Sequence, residues 1–310
     1  MHLTPDTKTP PLKLVQTTTG NMTSRPTLPY FAPADQLPAP LPSVAEILAS
    51  NTRLSGRGNS LVVRVGEHFA VKYGSHIHFQ EGENMLFVRQ LTNVPLPTVY
   101  ALFHDEKTGY NFIVQEYIPG RKLGKAWASL SPEDKTAVSS QLRRAMDELR
   151  SIPSPGYYGG IWRQPIQDWS FVDPELQTCP HRDPAISGPH ESEEDWAEAM
   201  WRCLDMIVKN DERRRLPLKR RHYKAMFQGH KPVFTHADFS PGNIKIREDN
   251  SVVIIDWERS GWYPSIWEYC GTMLLNEYED DWGEWVSCIL DEYIPEFGWM
   301  QLHREWIMFY

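Results

Sequence analysis

The chain has 310 residues, enough for one large or two small domains with a real hydrophobic core. A hydrophobic fraction of 41% and a charged fraction of 23% are those of a globular protein, which excludes global disorder and fibrous or low-complexity architectures. The formal charge of -8 is wrong for a surface that neutralises nucleic-acid phosphates, and no apolar run nears the ~20 residues that span a bilayer, so no nucleic acid and no membrane is expected as partner.

The first 42 residues are rich in Pro and Thr, lack a sustained period, and end in Leu37-Pro38-Ala39-Pro40-Leu41-Pro42. They read as a disordered tail, without the apolar stretch of a signal peptide. Ser55-Gly56-Arg57-Gly58-Asn59-Ser60 is a flexible turn ahead of two short β-branched runs, Leu61–Val65 and Phe69–Tyr73, which a Gly66-Glu67 turn joins into a hairpin. Helical spacing of Leu86, Gln90 and Leu91 marks a helix over Gln80–Leu91, stopped by Pro95 and Pro97. A strand at Phe112-Ile113-Val114 leads into Tyr117-Ile118-Pro119-Gly120.

Beyond that point the pattern is helical. Ser131 and Pro132 open a helix whose buried face is Val138, Leu142, Ala145 and Leu149. Residues 153–192 are Pro- and Gly-rich and longer than a structural connection requires, and a Glu- and Trp-rich helix follows at about 192–210. Arg213-Arg214-Arg215 and Lys219-Arg220-Arg221 read as a solvated helix face beside Asp211 and Glu212. Four cysteines, Cys179, Cys203, Cys270 and Cys288, show neither CxxC pairing nor zinc spacing, so a reducing, cytoplasmic setting is the default.

The chemistry concentrates in Thr235-His236-Ala237-Asp238-Phe239-Ser240-Pro241-Gly242-Asn243-Ile244, followed by the apolar run Val252–Ile255 that ends in Asp256. In an HxDxxxxN loop the Asp can orient a hydroxyl and accept its proton, while the Asn and a strand-end Asp offer two oxygen ligands to Mg²⁺. Turn chemistry alone would explain His236, Asp238 and Asn243, but not a carboxylate closing a buried strand at Asp256.

These residues resemble the aminoglycoside phosphotransferase family, which includes choline-kinase-like and fungal members. Its loop reads HGDxxPxNIL, with Ala237 here in the Gly position and Lys245 after Ile244. The resemblance runs from about residue 50 to residue 275 and extends to Gly188–Trp196 and Gly261–Glu268. It implies an α+β, protein-kinase-like bilobal fold. A small β-rich lobe with one helix (residues 43–118) would precede a larger, mainly helical catalytic and acceptor lobe (residues 119–310).

The same resemblance implies ATP and Mg²⁺ as cofactors, Asp238 as catalytic base, His236 as support for the loop, and Asn243 and Asp256 as Mg²⁺ ligands. Ala70 would pack on adenine and Lys72 would reach the α- and β-phosphates. Glu81 and Glu83 both qualify as the carboxylate that holds Lys72. The resemblance favours Glu83, because in the family the partner Glu lies about twelve residues before the Pro of a strand start like Pro95-Leu96-Pro97. Gly56, Gly58 and Ser60 would cover the phosphates, and the Glu116 carbonyl and Ile118 N–H would meet adenine. The acceptor is expected to be a small hydroxylated molecule, with an amine or quaternary ammonium among the candidates if Asn276–Trp285, rich in carboxylates and aromatics, lines its site; the favoured reading of that stretch is a helix with a solvated acidic face and its Trp residues in the core. Trp162, Trp169 and Trp196 could line the same cleft. The rivals are a nucleotide-binding pseudokinase or scaffold and, less favoured because no DFG or APE follows Asp256, a protein Ser/Thr kinase.

Overall fold

The computed structural model describes residues 24–168, 184–207, 216–275 and 280–308. The first lobe is a six-stranded antiparallel sheet in the order β1-β5-β6-β4-β3-β2, formed by β1 (Tyr30–Phe31), β2 (Arg53–Arg57), β3 (Ser60–Val65), β4 (Phe69–Gly74), β5 (Val99–Asp105) and β6 (Tyr110–Glu116). Strand β4 is buried along its whole length because it is central and covered on both faces, which is why its sequence is nearly continuously apolar. One face carries a satellite core of Ile47, Phe69, Val71, Tyr100, Phe112 and Val114 under the short helix α1 (Val44–Leu48). The other face receives helix α2 (Gln80–Leu91), with Met85 and Val88 fully buried.

Two expectations for this lobe are corrected. The lobe contains α1 in addition to α2, and α1 is closed by a capping box between Ser43 and Glu46. The Pro/Thr-rich segment is also not a free tail over its described part. Tyr30 and Phe31 pair with Leu102 and Ala101, and Ala32 N–H bonds to Tyr100 O at 2.8 Å. Cross-strand stacking drives this: Phe31, Phe103, Phe112 and Tyr73 form a ladder of rings 5.0 to 6.0 Å apart across four strands. Residues 1–23 lie outside the described residues.

The second lobe contains β7 (Arg121–Lys122), α3 (Leu123–Ala126), α4 (Pro132–Arg150), α5 (Pro184–Ser187), α6 (Glu193–Ile207), α7 (Leu216–Met226), β8 (Pro232–Thr235), β9 (Ile244–Ile246), β10 (Val252–Ile254), β11 (Gly261–Pro264), α8 (Trp267–Leu274), α9 (Trp282–Ile289) and α10 (Ile294–Met308). Ser131 Oγ accepts the Asp134 N–H at 3.1 Å to start α4, and Val138, Leu142, Ala145 and Leu149 are buried as the spacing requires. Its core is aromatic, with Trp127, Trp196, Trp257, Trp262, Trp267 and Trp282 all buried. The 153–192 segment is partly built: Tyr158 bridges His190 and Gly159 bridges Trp262, while residues 169–183, Trp169 and Cys179 among them, lie outside the described residues.

Arg220 pairs with Glu198 and Lys224 with Glu194 on an exposed face, which ties α7 to α6; Arg213 to Arg215 lie outside the described residues. Among the described residues, no helix is long and apolar enough to cross a membrane.

Candidate active site

Two small antiparallel sheets, β10-β9-β7 and β11-β8, deliver the chemistry-bearing loop to the junction of the lobes. Strand β8 ends at Thr235, and the chain turns through Ala237, whose φ of 65° is left-handed and strained for a residue with a side chain. Glu268, buried on α8, holds this turn: its carboxylate accepts the N–H of His236 at 2.6 Å and of Ala237 at 3.0 Å. Burial lifts Glu268 to about 7, opposed by those two N–H donors and by Arg150.

His236 is fully buried. Its Nε2 lies 3.1 Å from Ile255 O, a pure acceptor, so Nε2 carries the proton, and Nδ1 accepts the Asp238 N–H at 3.3 Å. Burial drives its pKa down to about 4, so the ring is a neutral brace and not an acid.

Asp238 is thereby presented with both oxygens oriented. Asn243 Nδ2 donates to Oδ2 at 2.9 Å and to the Asp238 carbonyl at 2.9 Å, while Arg259 Nη1 stands 3.4 Å from Oδ1. Burial raises Asp238 to about 6 against the pull of Arg259, leaving it an ionised carboxylate at neutral pH that can still take a proton.

Across the cleft, Lys72 points its ammonium at three carboxylates: Glu81 at 2.6 Å, Glu258 at 2.8 Å and Asp256 at 3.2 Å. Burial works against the ammonium, but these three acids outweigh it and hold Lys72 well above the ordinary lysine range. Three carboxylates share this one cation, so burial still raises Glu81, to about 7. Asp256, against burial, is held below its usual value by Lys72.

The choice of Glu83 as the Lys72 partner is therefore corrected to Glu81. On α2 the two residues point in different directions, being two positions apart on a helix. Glu83 faces away from Lys72 and bonds Arg25 at 2.7 Å and Gln164 at 2.9 Å.

The cleft between the lobes is roofed by Leu54, Ser55 and Val62, backed by Ala70, Lys72 and Glu81, edged by Glu116, Tyr117 and Ile118, and floored by Asn243, Lys245, Ile255 and Asp256. The Ile118 N–H has no protein partner among the described residues. Gly56, Gly58 and Ser60 form the tip of the β2–β3 hairpin and are not among the lining residues; Leu54 and Ser55, just before them, are. Gly56 has φ 95°, and a Cβ there would overlap the Ser60 carbonyl oxygen, so only glycine closes this hairpin.

Asn243 and Asp256 suit a hard divalent cation. With Asn243 Nδ2 engaged by Asp238, the amide oxygen is the atom left to ligate, and Asp256 adds a partly exposed carboxylate. Glu81, Asp256 and Glu258 also bring carboxylate oxygens within 4.8 Å of one another.

Sequence reasoning missed Arg259, Glu258 and Glu268 as working residues. Glu268 closes the Gly261–Glu268 segment of the resemblance and Glu258 stands two residues after Asp256, but which backbone group or cation each would meet is set by tertiary contact. Where it is described, the acidic–aromatic stretch follows the reading as a helix with Trp in the core rather than an acceptor wall. Asp281 takes Lys135, Trp127 Nε1 and Trp285 Nε1, and Trp282 is buried against Trp127, so these groups hold α9 to α4 and to the turn that follows α3. Residues 276–279 lie outside the described residues. Trp196 is a core residue, and Trp162 packs edge-on to Phe87 at 6.0 Å.

The sequence profile of the phosphotransferase enzyme family (APH) matches residues 46–303. Among solved structures, an ADP-bound aminoglycoside phosphotransferase, APH(2'')-Ib, superposes with a TM-score of 0.55 at 16% identity, covering 86% of this chain and 83% of its own. The ternary complex of APH(2'')-IIa with streptomycin and ATP gives 0.51 at 17% identity, over 73% and 71%. Two subtelomeric hrmA-associated cluster proteins of Aspergillus fumigatus are 24% identical over 118 residues. That match spans 37% of this chain and only 22% of each relative's length.

Proposed function

From the premise that the chain belongs to the phosphotransferase enzyme family and has its kinase-like fold, we propose that it transfers the γ-phosphoryl group of ATP to a hydroxyl of a small molecule, with Asp238 as base. The observation that carries this reading is the convergence of Lys72, paired with Glu81, with Asn243 and Asp256 in one cleft, and the bond from Asn243 to Asp238 that sets this carboxylate beside the cleft floor. Lys72 would bind the α- and β-phosphates, and the apolar slot of Val62, Ala70 and Ile255 beside the free Ile118 N–H would take adenine. Mg²⁺, held by Asn243 and Asp256, would supply charge neutralisation at the phosphates.

Asp238 would orient the acceptor hydroxyl in line with the γ-phosphorus. The bond from the γ-phosphorus to the β-γ bridging oxygen breaks, a bond from phosphorus to the acceptor oxygen forms, and the hydroxyl proton passes to Asp238. Arg259, beside Oδ1, keeps that carboxylate ionised until then. The acceptor is proposed as a hydroxylated small molecule, and the cytoplasm as its setting.

The test is ATP turnover with Mg²⁺ against a panel of hydroxylated amines, sugars and amino alcohols, with Asp238→Asn beside the wild type. Acceptor-dependent turnover that falls about 10²- to 10⁴-fold in the variant, with Mg·ATP binding retained, is the expected result. Mg·ATP binding with no turnover on any acceptor would favour the scaffold reading, and a protein that binds no nucleotide would overturn the proposal.

A further inference from the structure

Glu83 is completely buried, and its cationic partner among the described residues comes from outside the span that matches the family. Arg25 reaches it from the N-terminal strap, Nε to Oε1 at 2.7 Å and Nη2 to Oε2 at 3.3 Å, while the Arg25 side chain remains 53% exposed. Gln164 completes the group: its Nε2 donates to Glu83 Oε2 at 2.9 Å and its Oε1 accepts from Arg25 Nη2 at 3.4 Å.

Three segments distant in sequence meet here, and each is separately anchored. The strap is fixed by β1, paired with β5. The Gln164 loop belongs to the second lobe, where Gly159 is bridged to Trp262. Its approach runs through two consecutive left-handed residues, Trp162 at φ 50° and Arg163 at φ 62°, held by Tyr157 Oη, which accepts the Arg163 N–H at 2.9 Å. Such strain persists only where the surroundings impose it.

Helix α2 carries Glu83 and Glu81 in one turn, so whatever fixes the first fixes the second. That turn has no side-chain cap at Phe79, and besides Glu81 to Lys72 its other polar side-chain ties among the described residues join Gln80 to Pro165 O and Gln167 and Asn84 to Trp257 O and Ser260 O, again to the second lobe. Gly82 lets it press on β5, since a Cβ there would overlap Leu102. We infer that Arg25 is a positioning residue for phosphoryl transfer, locking α2 through Glu83 and Gln164 so that Glu81 meets Lys72 and the two lobes keep the spacing of the nucleotide cleft. Arg25 touches no reacting group and acts only through the helix.

This inference rests on the phosphotransfer reading, so its test separates the two. In the full chain, Arg25→Ala and the conservative Arg25→Lys are compared by hydrogen exchange over residues 80–86 and by calorimetric affinity for Mg·ATP, with Glu83→Gln as a milder variant should Arg25→Ala fold poorly. Arg25→Ala should speed exchange in the first turn of α2, weaken Mg·ATP binding about tenfold and raise KM for ATP without raising KM for the acceptor. Arg25→Lys should recover most of both losses, and Glu83→Gln should move them the same way by less.

Unchanged exchange over α2 overturns the lock, and faster exchange with unchanged Mg·ATP affinity overturns its role in positioning Glu81. A lowered Tm with exchange and affinity intact would reduce Arg25 to a structural contact. If the wild type binds no Mg·ATP, the phosphotransfer reading and the positioning role built on it both fall, and the exchange data then judge only whether Arg25 holds α2.

Discussion

Replacing His236 with Phe keeps a ring against Trp257, 4.7 Å away in the wild type, while deleting both hydrogen bonds that tie Asp238 N–H to Ile255 O. Each loss leaves a partly buried backbone group unpaired, and the pair together should destabilise the fold by about 3 kcal/mol at pH 7. At an unfolding entropy of about 0.65 kcal/mol/K for a chain of 310 residues, that lowers Tm by about 5 °C.

The size of the gap depends on pH. The folded-state pKa of His236 is depressed from 6.5 to about 4, so as pH falls across that window the unfolded chain takes up a proton that the folded chain refuses. Stability present above pH 6.5 is lost by pH 4, by about 3 kcal/mol in the wild type and not at all through this site in the variant. His303, buried and held near 3, adds an acid loss common to both proteins. Melting curves of both at pH 7, 5.5 and 4 should therefore converge. With Asp238 less well held, kcat should fall at least about tenfold at pH 7 with KM for ATP little changed. A Tm gap that stays constant from pH 7 to pH 4 would refute the buried neutral brace.

Glu81→Gln should lower kcat/KM for ATP about a hundredfold, because Lys72 then leans on Glu258 and on Asp256, the carboxylate proposed for Mg²⁺; steady-state kinetics with a fall below about threefold would dismiss Glu81 as the partner. Asp281→Asn should lower Tm by about 2 °C through its weakened ties to Lys135, Trp127 and Trp285. Acceptor KM measured on the same variant should not move, and a large rise would restore this carboxylate to an acceptor site.

The placing of the Asp238 loop, Lys72 and Asp256 was legible because local sequence sets it: an HxDxxxxN turn between apolar runs, and an AxK on a strand whose burial shows as unbroken hydrophobicity. Helix α2 was legible to the residue, from Gln80 to Leu91. Which of its carboxylates meets Lys72 was not, since that depends on the rotation of α2 about its axis. Asn84 sets that rotation by bonding Trp257 O and Ser260 O, more than 170 residues away in the chain. Composition likewise misled at Tyr30–Phe31, where a Pro-rich context hides two aromatic-bearing positions whose stability comes from rings on strands they do not adjoin in sequence. The same limit applies to Arg259 and Glu268, whose partners are a side chain and two backbone amides across a turn.

A carboxylate at the end of a buried strand looked costly in the sequence, and the backbone resolves the difficulty. Residues Val252, Val253 and Ile254 are buried, so an extended continuation would carry Asp256 onward along that apolar path. Asp256 instead adopts φ 69°, a left-handed conformation that short polar side chains tolerate better than most. The turn swings its carboxylate out of the core into the cleft, 3.2 Å from Lys72, while Ile255 N–H bonds Asn243 O at 2.8 Å and so ties this strand end to the loop that carries Asp238. Ala237 makes the matching left-handed turn on the other side, held by Glu268. Both strained non-glycine residues thus sit where the chain must leave a strand, one turning Asp256 into the cleft and the other setting Asp238 against Asn243 of its floor, and both are fixed by buried partners. The cost of order 1–2 kcal/mol at each is borne because a relaxed turn would return the acid to the core or to solvent.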